Sequence, residues 1–225
     1  HIAHYNMQFQ NLMYTNFGGG NWTTEPVDSV GRVGEYCAIA IDANDSPHIA
    51  YVDRDNGGAI KYAHKNQSWD FVEIDEEGEF ISIDIDTLNR AHFSYYDLSD
   101  QDLRYLSHSG ANVDQITQNI TFNHGWGGVG LALDSHDVPH VAYQNLSDNV
   151  KKISYATLDV TATQISGYNV WVVETVDTNL GNTAGSWLSI DLDSQDRPHI
   201  SYYSGDGVNS IKYACLLYTS DAADE

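Results

Sequence analysis

The sequence predicts an all-β protein, a β-propeller assembled from repeats of four strands each. A short motif, in which Asp is followed six residues later by His and nine residues later by Tyr, returns at intervals of 44 to 59 residues. Each repeat holds four short apolar runs separated by Gly, Asn, Asp and Pro, and no window shows a helical period of any length. Four strands in about 45 residues are typical of a propeller blade, which buries its faces against its neighbours. An open stack of β-meanders is the alternative architecture.

The repeated motif is complete in four copies, and a partial copy opens the chain at His1. A catalytic group is needed once per site, whereas this set returns in every repeat. We therefore interpret it as a structural set whose polar groups bond one another. An acid–base catalytic site is the alternative interpretation. Its members are Asp42, His48 and Tyr51, then Asp86, His92 and Tyr95, then Asp134, His140 and Tyr143, and last Asp193, His199 and Tyr202.

Alignment on the motif assigns residues 1–214 to one propeller domain that is incomplete at both ends. We expect about four to five blades of a ring of six to eight. An insertion, Thr157 to Val170, lengthens the fourth repeat and is expected to extend a hairpin. The five repeats, of which the first and last are partial, are 1–28, 29–75, 76–120, 121–177 and 178–214.

The last eleven residues, 215–225, fit no position of the repeat. They resemble the conceptual translation of a sequencing adapter of the transposase type. We therefore expect this tail to be non-native and the chain to be a fragment read from environmental DNA.

The charge balance excludes some partners. The chain has 32 acidic residues against 10 basic ones, a formal net charge of −22. Nucleic acid would be repelled by this charge, and we expect no such partner. No apolar run approaches membrane-spanning length, so membrane insertion is not expected either. We expect an extracellular or cell-surface protein, with an oligomeric state that the sequence leaves open.

One hairpin concentrates carboxylates at Asp97, Asp100 and Asp102. Calcium prefers several hard oxygen ligands, and these three residues are its candidate site. The hairpin lacks the Gly and the distal Glu of a full calcium loop. An ordinary solvated turn is the alternative, and no other cofactor is expected.

Aromatic residues that break the repeat pattern are the candidate ligand contacts. The chain has 15 Tyr and five Trp, most at recurring positions that we expect in the core. Flat amphipathic rings beside Asp and Asn suit the apolar face and hydroxyl rim of a sugar. The off-pattern rings are Trp126, Tyr96, Tyr168 and Tyr203.

The repeat resembles those of secreted bacterial β-propeller proteins in the broad sialidase-like group, which includes glycosidases, polysaccharide lyases and binding modules. No Ser-x-Asp-x-Gly-x-x-Trp box occurs here, and the chain has only five Arg, at scattered positions. The resemblance therefore implies the blade architecture, and it leaves sialidase activity in doubt. Three hypotheses follow: a non-catalytic module that binds glycan or protein through loops on one face, a carbohydrate-active hydrolase or lyase, and a structural adhesion repeat.

Overall fold

The computed structural model confirms the fold class. It describes residues 1–107, 114–117, 128–147, 150–166, 169–178, 180, 187–205 and 210–216, with only the backbone at 114–117, 146, 147 and 150. The chain forms two compact units, His1–Ile120 and Thr121–Glu225. Both consist of antiparallel sheets of three or four strands joined in sequence order, which is how propeller blades are built.

The first unit contains three sheets, one for each of the first three repeats. The first sheet is β1 (Ile2–Asn6), β2 (Asn11–Gly18) and β3 (Asn21–Asp28). The second is β4 (Val33–Ile41), β5 (Pro47–Asp53), β6 (Ala59–Lys65) and β7 (Trp69–Asp75), with a 3-10 turn at Arg54–Asn56. The third is β8 (Gly78–Ile85), β9 (Ala91–Asp97), β10 (Asp102–Ser107) and β11 (Asp114–Thr117).

The second unit contains the sheets of the fourth and fifth repeats. The fourth sheet is β12 (Val129–Leu133), β13 (Pro139–Ser147), β14 (Val150–Leu158) and β15 (Trp171–Asp177). The fifth is β16 (Leu188–Leu192), β17 (Pro198–Ser204) and β18 (Ser210–Cys215). Cys215, the first residue of the predicted tail, thus ends a strand, and residues 217–225 lie outside the described part of the chain.

The insertion in the fourth repeat does not extend a hairpin, and that expectation was wrong. It contains a seven-residue helix, α1 (Val160–Ser166). Asp159 begins this helix, because its Oδ1 accepts a 2.8 Å hydrogen bond from the backbone N–H of Ala162. Seven residues give too few turns for a helical period to stand out in the sequence. No helix in the described residues has the length and apolar character to cross a membrane.

The hydrophobic cores lie between consecutive sheets of one unit. In the first unit, Leu12 and Tyr14 of the first repeat pack with Ile49 and Tyr51 of the second. In the second unit, Ile153 packs with Ile200 in the same way. Within each unit, a sheet that is followed by another therefore has a downstream face, which the sheet of the following repeat covers, and that following sheet has an upstream face. This stacking places the first turns of consecutive repeats next to each other.

Candidate functional site

The motif His of the second to fifth repeats lies between an Asp and a Tyr of its own repeat, whereas His1 meets Asp45 of the second repeat. In the second repeat, His48 Nδ1 is 2.5 Å from the hydroxyl of Tyr62, and Nε2 is 3.6 Å from Asp42 Oδ2. Every repeat has the same His–Tyr contact, which the sequence analysis did not anticipate. The other pairs are His1–Tyr14, His92–Tyr105, His140–Tyr155 and His199–Tyr213. Asp86, Asp134 and Asp193 lie 3.1, 3.6 and 3.2 Å from Nε2 of their own His.

The motif Asp also closes the first turn of its repeat. Asp42 Oδ1 accepts hydrogen bonds from the backbone N–H groups of Asn44 and Ser46, at 2.9 and 2.8 Å. Burial raises the pKa of Asp42, but these amides, the Asn44 side chain and His48 outweigh it, and the net pKa is lowered. The carboxylate is therefore ionised at neutral pH.

The motif Tyr does not join this set, because its hydroxyl points toward the preceding repeat. Tyr51, Tyr95 and Tyr202 each donate to the Asp that ends the last strand of the repeat before, namely Asp28, Asp75 and Asp177. Tyr143 is fully buried, and its hydroxyl meets no Asp in the described structure. The motif residues thus form two separate structural contacts rather than one pocket.

A polar cavity of about 330 Å³ lies where the first turn of the second repeat meets that of the third. The two turns are joined directly, since Asn89 Oδ1 accepts a 3.2 Å hydrogen bond from the backbone N–H of Ala43. The cavity has the size of a small ligand pocket. Its lining is Asp42, Asn44, Ser46, His48, His64, Lys65, Asn66 and Asn89.

His64 gives this cavity its aromatic wall. Its ring stacks on Tyr62, with the centroids 5.6 Å apart and the planes at 13°, and on His48 at 5.9 Å and 21°. The side chain is 36% exposed, and Nε2 lies 3.8 Å from Asp70 Oδ2. His64 therefore presents a supported ring and an imidazole nitrogen to a ligand.

His64 could have been found from the sequence. The residues two positions after the second Tyr of the other repeats are Asn16, Ser107, Thr157 and Cys215. A His at this aligned position departs from the repeat, which is the property expected of a functional residue. The sequence alone does not show that Asn44 and Asn89, from consecutive repeats, line the same cavity.

Lys65 supplies the only cation in the described lining of the cavity. Its ammonium group pairs with Glu25 and lies over the rings of Tyr14 and Trp69, 5.8 and 5.6 Å from their centroids. The positive charge is thus balanced by Glu25 and held toward the first repeat. The cavity offers hydrogen-bonding groups more than a free positive charge.

The four aromatic candidates do not form a common surface. Tyr96 is only 3% exposed, so its ring does not reach solvent. Trp126 and Tyr168 lie outside the described residues. Tyr203 lies in an apolar groove of about 260 Å³ with Trp187 and Ile211. Tyr203 occupies the same position of its repeat as Val52, Tyr96 and Gln144, which are all buried.

The three carboxylates of the candidate calcium hairpin are placed differently. Asp97 is 2% exposed and accepts hydrogen bonds from Ser99 and from the backbone N–H of Asp100. Both Asp97 and Asp100 pair with the guanidinium of Arg104. Asp102 is also buried, at 5% exposure. Arg104 therefore balances the charge of two of the three predicted ligands.

Comparisons with known proteins agree with this fold. No protein-family model matches the sequence, and no curated protein matches it either. A crystal structure of a variant of AofleA from Arthrobotrys oligospora, in which three arginines are replaced by alanine, is similar to this chain. It has a TM-score of 0.59 and 9% identity, over 96% of this chain and 64% of that one. The intramolecular trans-sialidase from Ruminococcus gnavus has a TM-score of 0.56 and 12% identity over 92% and 50%.

A third similar structure is the Aleuria aurantia lectin in complex with Fucα1-6GlcNAc. It has a TM-score of 0.50 and 10% identity, over 96% of this chain and 74% of the lectin. The chain thus spans between half and three quarters of these three proteins. At such identities the similarity shows the fold, and that fold is the β-propeller.

Proposed function

We propose that this chain is a carbohydrate-binding β-propeller module of an extracellular or cell-surface protein, and that the cavity beside His64 binds a neutral sugar. The observation that carries the proposal is the composition of the cavity. Three amides and two imidazoles surround a volume suited to a small ligand. Amides and imidazoles both donate and accept hydrogen bonds, as sugar hydroxyls do.

The charge of the protein favours a neutral glycan over an acidic one. The chain has a formal net charge of −22, and the ammonium group of Lys65 already pairs with Glu25. A uronic or sialic acid would meet a negative field without a free cation in the cavity. The similarity to the Aleuria aurantia lectin, which is bound to a fucosyl disaccharide, supports a sugar ligand in general.

Binding without hydrolysis fits the cavity better than catalysis does. A glycoside hydrolase ordinarily uses two carboxyl groups, one of them protonated as the general acid. The described lining contains one carboxyl group, Asp42, whose lowered pKa keeps it ionised. A carbohydrate-active enzyme remains the second candidate, because the trans-sialidase from Ruminococcus gnavus has a similar fold.

A neutral-glycan array followed by calorimetric titration tests the proposal. We expect His64→Ala and Asn66→Ala each to weaken binding at least tenfold, since each removes a group that lines the cavity. His136→Ala is the matched control, because it removes an exposed imidazole in the other unit and should leave the affinity unchanged. Product analysis after incubation should recover the glycan intact. Absence of glycan binding, with capture of a protein ligand instead, would overturn the proposal, and release of shortened glycans would favour the enzyme.

A further inference from the structure

The turn junction of the second unit differs chemically from that of the first. Here the first turn of the fourth repeat meets that of the fifth, and Asp196 Oδ1 accepts a 3.0 Å hydrogen bond from the backbone N–H of Ser135. Asp196 takes the aligned place of Asn89, and His136 that of Asn44. The junction therefore replaces two neutral amides by a carboxylate and an imidazole.

Three potential metal ligands meet at this junction. One donor atom from each of Asp134, His136 and Asp196 lies within 4.8 Å of the other two. His136 Nδ1 is 3.9 Å from Asp196 Oδ2. Ser135 Oγ lies between these two atoms: it donates a 2.6 Å hydrogen bond to Asp196 Oδ2 and is 3.0 Å from His136 Nδ1. The side chain of His136 is 79% exposed, so its ring is free to reorient.

A buried imidazole lies beside one member of this group. The side chain of His140 is 8% exposed, and its Nε2 has no hydrogen-bond partner in the described structure. The nearest carboxylate oxygen given for it, Asp134 Oδ2, is 3.6 Å away, too far for a hydrogen bond. Ligands of a tetrahedral zinc ion lie about 2.0–2.2 Å from the metal and so roughly 3.5 Å from one another. The separation of these two atoms is thus close to that of two zinc ligands.

Among the residues that the structure describes, the two carboxylates also have no Arg or Lys as an ion-pair partner. In the third and fifth repeats an Arg two residues before the motif His binds the motif Asp, in the pairs Arg90–Asp86 and Arg197–Asp193. The fourth repeat has Val138 at that position. Within the described residues, the ion-pair partners of Asp134 and Asp196 are His140 and His136 only. A dication would balance the two neighbouring negative charges.

We propose that Asp134 Oδ2, His136 Nδ1 and Asp196 Oδ2 bind a divalent transition metal of the zinc class, with His140 Nε2 as the fourth ligand. Mixed imidazole and carboxylate donors suit zinc better than calcium, which prefers oxygen alone. Binding would displace the hydroxyl of Ser135 from its position between His136 and Asp196. The ion would link the fourth and fifth repeats through their turns.

Titration of the untagged, chelator-treated protein with Zn²⁺ in a calorimeter tests this site. We expect one equivalent of zinc per chain, and binding at least tenfold weaker in His136→Ala and in Asp196→Asn. Both changes are on surface turns and should leave the circular dichroism spectrum unchanged. His4→Ala removes an imidazole from β1, which lines neither the junction nor the cavity beside His64, and should bind zinc like the unchanged protein. Absence of stoichiometric binding, or full binding by His136→Ala and Asp196→Asn, would overturn the proposal.

The first unit offers a test by gain of binding. Its junction already has Asp42 and His48, whose Oδ2 and Nε2 are 3.6 Å apart, but it has Asn44 and Asn89 at the other two positions. Asn89 has a left-handed φ of 60°, close to the 58° of Asp196, so Asp fits there. The double variant Asn44→His, Asn89→Asp should bind a second zinc ion. A stoichiometry that stays at one would overturn the inference that these four donors suffice.

Discussion

The hydroxyl of Tyr51 donates a 2.7 Å hydrogen bond to Asp28 Oδ2, which joins the second repeat to the last strand of the first. Lys61 Nζ lies 3.7 Å from the same carboxylate oxygen and 2.7 Å from Asp53. The bond recurs between the second and third repeats and between the fourth and fifth, where Arg104 and Lys212 take the place of Lys61. Consecutive repeats of one unit are thus joined by a tyrosine–aspartate hydrogen bond as well as by apolar packing.

Removal of the Tyr51 hydroxyl should destabilise the protein. Tyr51→Phe keeps the buried ring and leaves Asp28 Oδ2 without its donor, so we expect the free energy of unfolding to fall by about 1.5–3 kcal/mol, the range for hydrogen bonds to charged groups. Urea unfolding followed by circular dichroism measures this. Tyr143→Phe is the control, because the Tyr143 hydroxyl is equally buried but meets no carboxylate in the described structure, and its removal should cost only about 0.5–1.5 kcal/mol. Equal losses in the two variants would show that the bond to Asp28 contributes no more than any other buried tyrosine hydroxyl.

The close approach of the first two sheets depends on Gly34. Its φ is 103°, and a Cβ there would lie 2.8 Å from both Cα and Cβ of Leu12. Gly34→Ala combines backbone strain with a clash against the preceding repeat, so we expect a loss of about 2–4 kcal/mol. Gly18→Ala, where a Cβ would meet nothing within 4 Å, should change stability by less than about 1 kcal/mol. Thermal unfolding of both variants measures the difference, and a stable Gly34→Ala protein would contradict the packing described here.

The sequence predicts the repeated parts of this structure better than the unique ones. A motif that returns five times reveals strand positions, because each copy must form the same sheet and cover the same neighbour. The burial of Tyr96 is an example. It aligns with Val52 and Gln144, both buried, and an exposed ring was therefore not to be expected at that position. An aromatic residue that breaks the repeat pattern was therefore not enough to predict a ligand contact at that position.

The cavity beside His64 was harder to predict because its walls come from different repeats. Asn44 and Asn89 occupy aligned turn positions in consecutive repeats, and only the stacking of the sheets brings those turns together. The charge imbalance at Asp134 and Asp196 has the same origin. The joined residues are 46 positions apart in the first unit and 61 in the second, and such separations hide these contacts until the order and spacing of the sheets are known.

Cys37 should be unreactive in the folded protein. It packs against the core between the first two repeats, and burial raises the pKa of its thiol to about 11. Because the thiolate is the nucleophile, at pH 8 only about one molecule in a thousand would carry the reactive form. In a Cys215→Ser background, Ellman's reagent should label Cys37 slowly in buffer and rapidly in urea. Fast labelling without urea would mean that this core opens readily.

Stability should fall in acid through Asp86. Burial raises the pKa of this carboxyl, but hydrogen bonds from Arg90, His92 and the backbone N–H of Leu88 outweigh it, and the net pKa is lowered. A group with a lowered folded-state pKa stabilises the native state above its unfolded pKa, about 3.9, and loses that contribution as the pH falls through the folded value. We therefore expect Asp86→Asn to reduce the free energy of unfolding by about 2–3 kcal/mol at pH 7, and by progressively less below pH 4.

Urea unfolding at pH 7, 4 and 2.5 tests the acid dependence, with Asp70→Asn as the control. The side chain of Asp70 is 63% exposed, and its ion-pair partner among the described residues is His64, at 3.8 Å, so its replacement should change stability by less than about 0.5 kcal/mol at each pH. The difference between unchanged protein and Asp86→Asn must shrink toward low pH, since protonation removes the same charge that the substitution removes. A difference that stays constant from pH 7 to 2.5 would mean that Asp86 contributes through its shape and its turn hydrogen bonds alone. The charge on the motif Asp would then have no part in holding the His and Arg of its repeat.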